Sequence, residues 1–134
     1  MLVIIRGGGD IATGIALRLY RSGMKLVICE IPAPTSIRRT VCFSEAVRLG
    51  ETVVEGVTAR RAGPGEAPGR LEQGVGPVLV DPDGACIQQL KPDAVVDAIL
   101  GKRNLGTRMD MAPVVVAAGP GFTAGADCHA VVET

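Results

Sequence analysis

Three groups of residues have the types and spacing to do chemistry, and all three point to a phosphate-bearing ligand. Gly7-Gly8-Gly9-Asp10-Ile11-Ala12 fits the G-x-G-x-x-G/A fingerprint of dinucleotide binding, with Ala12 in the third small position. In that pattern Gly7 permits a tight turn out of a strand and Gly9 lets the backbone approach a pyrophosphate. Ala12 lets the following helix pack close against the sheet. Glu30 follows roughly twenty residues after the turn, where a carboxylate meets a ribose 2′-hydroxyl. A carboxylate there weighs against a 2′-phosphate, which favours NAD over NADP. Lys102, Arg103 and Asn104 form the third group, with anion-binding and hydrogen-bonding side chains in one loop. Asp10 complicates the picture, because it stands where a helix N-terminus welcomes an anion. It either caps free backbone N–H groups itself or repels a pyrophosphate. The plainer reading is a βαβ unit whose glycines make a tight turn, with Glu30 on a solvated strand end and Lys102 to Asn104 an ordinary polar loop. Arg38 and Arg39 read either as ligand-phosphate contacts or as a solvated basic pair.

Other chemistry is less well supported by the residues. Cys29, Cys42, Cys86 and Cys128 are widely spaced without a C-x-x-C pair, which disfavours a structural zinc site and, in a reducing compartment, disulfides. Cys29 falls within an apolar run and reads as a small buried hydrophobe. Cys128 stands beside His129, the sole histidine. On an extended segment the two point to opposite faces, so they do not make a nucleophile–base pair. No Ser–His–Asp set, paired carboxylates or metal cluster stands out. The sequence therefore nominates no catalytic residue and no metal ligand.

The elements that must position these groups follow from hydrophobic pattern. Leu2 to Ile5 is a continuous apolar run, as in a buried parallel strand. After the glycines, Ile11, Ile15 and Leu19 recur at helical spacing with Ala12, Ala16 and Tyr20 beside them, and Gly23 is a natural stop. Lys25 to Ile31 gives a second strand. A helix is expected from Ser44 to Leu49 with Ser44 as N-cap, and one strand over Thr52 to Thr58, interrupted at Gly56. Residues 62–77 are rich in Gly and Pro and read as a surface excursion with one helical turn near Glu66. Pro77 to Val80 is a fourth strand, Asp81 to Gly84 a turn, Asp93 to Leu100 another strand, and Pro113 to Ala118 the last. The recurring pattern of strand followed by a glycine-rich or polar loop gives an α/β class, a Rossmann-like three-layer domain with a mostly parallel central sheet. In such a sheet ligands sit beyond the carboxyl ends of the strands.

Composition narrows the classes. A chain of 134 residues is one domain with room for a real core. Net charge is zero and aromatics are scarce, with no Trp, one Tyr and two Phe. Neither a basic footprint nor stacking platforms favour nucleic acid. No apolar run approaches the roughly 20 residues of a membrane span, and the start lacks a basic signal-peptide region. A cytoplasmic location is expected, with no membrane partner.

Four segments also occur together in order: Arg6-Gly-Gly-Gly-Asp-Ile-Ala-Thr-Gly14, Phe43-Ser-Glu-Ala46, Lys102-Arg-Asn-Leu-Gly-Thr107, and Gly119-Pro-Gly-Phe-Thr-Ala-Gly125 with Asp127 to Thr134. This set resembles the YqeB-type accessory proteins of selenium-dependent molybdenum hydroxylases, akin to the XdhC maturation group. The resemblance runs along the whole chain. It implies a helper in maturing a molybdenum-cofactor enzyme, with molybdenum cofactor as a ligand and the hydroxylase or its maturation proteins as partners. It brings no defined reaction. Members of that family continue past Val131 to Thr134 into an arginine–glycine–histidine stretch. A domain, a shortened protein or one half of a split system is therefore expected. Three functions follow, one of them a ligand-free scaffold that pairs with a partner chain through its sheet edge or the 62–77 loop. The first is a maturation factor holding a nucleotide-containing ligand on Gly7, Gly9, Asp10, Ala12, Glu30, Lys102, Arg103 and Asn104. The second is an NAD-dependent oxidoreductase acting on a small molecule, which needs an acid or base that the residues do not nominate, His129 being the one candidate. Homo-oligomers are expected to be compatible with each.

Overall fold

The structure is a computed structural model, and it describes residues 1–34, 39–63, 65–74 and 76–133. The phosphate contacts considered for Arg38 and for the Arg39 side chain lie outside the described residues. The chain runs β1 (Leu2–Arg6), α1 (Asp10–Arg21), β2 (Lys25–Glu30), α2 (Glu45–Leu49), β3 (Glu51–Val54), β4 (Val57–Arg61) and α3 (Ala67–Glu72). It continues with β5 (Gly76–Val80), α4 (Ala85–Leu90), β6 (Ala94–Asp97), β7 (Val114–Ala118) and β8 (Ala130–Val132). Short 3-10 turns lie at Arg39–Val41 and Met109–Met111.

The strands form one sheet in the order β3-β4-β5-β2-β1-β6-β7-β8, parallel throughout except for the β3–β4 pair. The apolar runs are continuous because both faces are covered. Val3, Ile5, Leu26 and Ile28 pack with Ala12, Ala16 and Leu17 of α1 and with Ala46 and Val47 of α2. Ile4, Val27 and Cys29 pack on the other side with Ala67 of α3 and with Cys86 and Ile87 of α4. Two helical layers thus sandwich the sheet, the three-layer Rossmann-like α/β arrangement that the sequence predicts. From β1 the chain first builds towards β2 and returns on the other side at β6. Order reverses there, so a crevice opens beyond the carboxyl ends of β1 and β6.

Several elements differ from their sequence-based outlines. The single strand expected over Thr52–Thr58 is a hairpin, β3 and β4. Glu55 and Gly56 both have positive φ, 50° and 78°, as a two-residue turn between twisted strands requires. The turn near Glu66 extends into α3. Helix α4 fills a stretch for which the hydrophobic pattern predicts no element. Its first turn is held by Asp81, whose carboxylate accepts from the Ala85 and Cys86 N–H groups at 2.9 and 2.8 Å. β6 stops at Asp97, where the Asp97 carboxylate accepts the Ile99 N–H at 3.1 Å in place of a ladder bond. β7 is not the last strand, since β8 pairs parallel to it at the sheet edge. Among the described residues no helix is long and apolar enough to cross a membrane.

Candidate functional site

The glycine turn lies at the order reversal, and its small residues are needed for three different reasons. Gly7 has φ +105°, and a Cβ there would stand 2.8 Å from the Ala98 carbonyl oxygen, so β1 meets the end of β6 through bare backbone. Gly8 is pressed against the chain before α2, where a Cβ would meet the Ser44 nitrogen at 3.0 Å. Its carbonyl accepts the Ser44 N–H at 2.9 Å and the Thr13 hydroxyl at 3.3 Å. Thr13 in turn accepts the Phe43 N–H at 2.9 Å, which ties α1 to the same segment. Gly9 begins α1 with φ −71°, a conformation open to any residue. Ala12, 1% exposed, sits in the contact between α1 and the sheet.

Glu30 ends β2 and turns its carboxylate back onto the glycine turn. One oxygen accepts the Gly8 N–H at 2.8 Å, and the other accepts the Ile31 N–H at 2.9 Å. The group is held in a fixed orientation, and each oxygen keeps a lone-pair site for a further donor. Asp10 uses its carboxylate on the second residue of α1, accepting the Ile11 N–H at 2.9 Å. Gly7, Gly8, Gly9, Asp10, Ala12 and Glu30 line a cavity of about 510 Å³ that reaches Ala98 to Leu100. A neighbouring cavity of about 560 Å³ shares Gly7, Glu30, Ile31, Ile99 and Leu105 with it, and extends to Arg6, Asp81, Arg103 and Asn104. Together they form one crevice in the size range of ligand sites. Ile11, Ile31 and Leu105 are exposed large apolar side chains, and all three stand on this rim. Sequence reading missed them, because single exposed apolar residues are common on any surface.

Of the polar loop, Arg103 and Asn104 line the crevice and Lys102 does not border either cavity. Asn104 spends its side chain on the loop itself. Its oxygen accepts from the Gly106 and Thr107 N–H groups, and its amide donates to the Thr107 carbonyl. Beneath the loop lies a buried network that the sequence did not nominate. Arg6, 1% exposed, donates to the Thr107 hydroxyl at 2.8 Å and to the Pro82 and Leu105 carbonyls at 3.0 and 3.1 Å. The Thr107 hydroxyl donates to buried Asp97. Arg6 and Asp97 each end an apolar strand facing the crevice, and a charged residue at two such strand ends was the available signal.

The second cavity also reaches Cys29 and Asp81. Cys29 Sγ and Cys86 Sγ lie 3.1 Å apart, and the ligand atoms of Cys29, Asp81 and Cys86 all fall within 4.8 Å of one another. Burial pushes the Asp81 carboxyl upward. The Cys86 N–H and thiol, the Ala85 N–H and the Arg6 guanidinium outweigh it, and the net shift is downward. The Cys86 thiol is pushed far up by its contact with the Cys29 sulfur, by burial and by the Asp81 carboxylate. Spacing in the sequence hid this group, because pairing of β2 with β5 and the turn into α4 bring it together. Cys128 and His129 lie elsewhere. His129 accepts the Val115 N–H at Nδ1 (2.9 Å) and donates its own N–H to the Val115 carbonyl, at the amino-terminal ends of β7 and β8. His129 lines neither cavity of the crevice. Cys128 is buried, and burial followed by the Asp127 charge raises its thiol.

Comparison with known proteins places these features in context. The chain is 60% identical over 134 residues to the uncharacterized protein YqeB of Escherichia coli (strain K12), an alignment covering 99% of this chain and 25% of that protein. It thus spans about a quarter of the length of the curated relative it matches. No family model matches the chain. No solved structure matches it either.

Proposed function

We propose that the chain is a nucleotide-ligand-binding module of an accessory protein that matures a molybdenum hydroxylase. The observation that carries the binding half is the Glu30 carboxylate, held by the Gly8 and Ile31 amides over the crevice at the order reversal. A carboxylate fixed in that way accepts two vicinal ribose hydroxyls without further ordering. Ile11, Ile31 and Leu105 supply apolar surface for a base or pterin ring. The Gly9 end of α1 faces the phosphates. Asp10, Glu30, Asp81 and Asp83 make the rim acidic, opposed by Arg6 and Arg103. That balance favours hydroxyl-rich, lightly phosphorylated ligands and works against a 2′-phosphate. NAD and a nucleotide-bearing molybdenum cofactor satisfy the same contacts. The maturation half rests on the resemblance in the sequence to accessory proteins of selenium-dependent molybdenum hydroxylases. The hydroxylase and its maturation proteins are the corresponding partners.

A thermal-shift series with NAD, NADP, ADP, ATP, CDP and S-adenosylmethionine tests the binding half. A ligand at a hundred times its dissociation constant stabilises the fold by about 2.7 kcal/mol. At least one nucleotide is expected to raise the melting temperature of the wild type, with NAD above NADP. No shift with any of the six rejects the reading.

A further inference from the structure

We infer that Cys29, Asp81 and Cys86 form a three-ligand site for a thiophilic divalent cation of the Zn2+ type, with its fourth position open to the crevice. This inference does not rest on the nucleotide reading. Two sulfurs and a carboxylate converge from three places in the chain: the end of β2, the turn after β5 and the first turn of α4. Their ligand atoms share a region less than 4.8 Å across. A tetrahedral ion with Zn–S bonds of about 2.3 Å needs its sulfurs about 3.8 Å apart. The observed separation is 3.1 Å, so the sulfurs have to part by about 0.7 Å to take such an ion. Both thiols are buried, at 3% and 1% exposure, whereas Asp81 is half-buried and borders the 560 Å³ cavity together with Cys29. Three protein ligands plus a position reachable by water or ligand is the pattern of reactive rather than purely structural zinc sites.

The geometry distinguishes this site from a simple thiol pair. A disulfide gains nothing from a neighbouring carboxylate. A cation gains a third anionic ligand already oriented by the Ala85 and Cys86 amides. A bound ion replaces the protons of both thiols, which pass to solvent, so uptake is pH-dependent.

The test is a titration of the reduced 134-residue chain with Co2+ as a spectroscopic probe, then displacement by Zn2+, without nucleotide present. One equivalent of Co2+ is expected to give thiolate-to-cobalt charge-transfer absorption, with release of two protons per ion in weak buffer. Cys29→Ala and Cys86→Ala should abolish the band, and Cys128→Ala should keep it. Asp81→Asn retains the capping oxygen and should weaken affinity at least tenfold, since even outer-shell partners cost about 10–100-fold. The inference is overturned by any of four results. They are absence of stoichiometric uptake, a band that survives loss of Cys86, unchanged affinity in Asp81→Asn, or a Cys29–Cys86 disulfide forming in air in a chain that takes up no metal when reduced. The wild-type proton count decides the matter even where a cysteine variant fails to fold. Failure here leaves the nucleotide crevice standing, and the reverse also holds.

Discussion

Arg6 is the residue on which the crevice floor depends. A guanidinium only 1% exposed is tolerable because it donates to a hydroxyl and two carbonyls, and because Thr107 passes the contact on to Asp97. Arg6→Leu strips those acceptors of their donor and leaves the Asp97 charge buried. Chemical denaturation should show a loss of about 3 kcal/mol, whereas Arg103→Leu, on the exposed rim, should cost less than about 0.5 kcal/mol. Asp81 gives a pH signature. Its folded-state carboxyl lies below the ordinary value of 3.8, so its contribution is present above that pH and is lost as pH falls through the lower folded value. Urea midpoints measured between pH 5 and pH 2 should therefore fall more steeply for the wild type than for Asp81→Asn. Gly7, Ala12 and Glu30 stood out because the fingerprint that contains them is compact in sequence. Arg6 did not, because an arginine closing an apolar strand reads equally well as a solvated end until Thr107 and Pro82 fold over it.

The β1–turn–α1–β2 unit carries the candidate site, and the turn is clamped from both sides. Ala98 presses on Gly7 and Ser44 presses on Gly8. Gly7→Ala has to adopt φ near +105° while meeting a backbone oxygen at 2.8 Å. It should cost about 3 kcal/mol of stability and displace Glu30 from the Gly8 amide. Gly14→Ala, in the open middle of α1, should instead stabilise by roughly 0.5–1 kcal/mol. This unit was readable because its strand, turn and helix each follow their own period. The β3–β4 hairpin was not, because Glu55-Gly56 is a less familiar turn pair than Asn-Gly. Helix α4 is too short for a helical period to show, and its start depends on Asp81 reaching the Ala85 and Cys86 amides. β8 has three exposed residues and no alternation, so only its pairing with β7 defines it.

Taken whole, the molecule is a three-layer sandwich of zero net charge whose sheet order reverses beside its glycine turn. Fold alone does not select a ligand; the crevice chemistry does. The reversal gathers Glu30, the apolar rim, Arg6 with its network, and the Cys29–Asp81–Cys86 group at the carboxyl ends of the central strands. His129 is hydrogen-bonded to Val115 beside β8 and lines neither cavity of the crevice. His129→Ala should thus leave nucleotide affinity within twofold in a direct titration. Glu30→Ala, which removes two charge-assisted contacts, should lower it about 10- to 100-fold. The strictest measurement is amide chemical-shift mapping of the isotope-labelled chain with the nucleotide that gives the largest thermal shift. Perturbations are expected at Gly7 to Ala12, Ile31 and Ile99 to Thr107, fading in the Glu30→Ala variant. Perturbations confined to β7 and β8, or unchanged by loss of Glu30, would contradict a nucleotide crevice at the glycine turn.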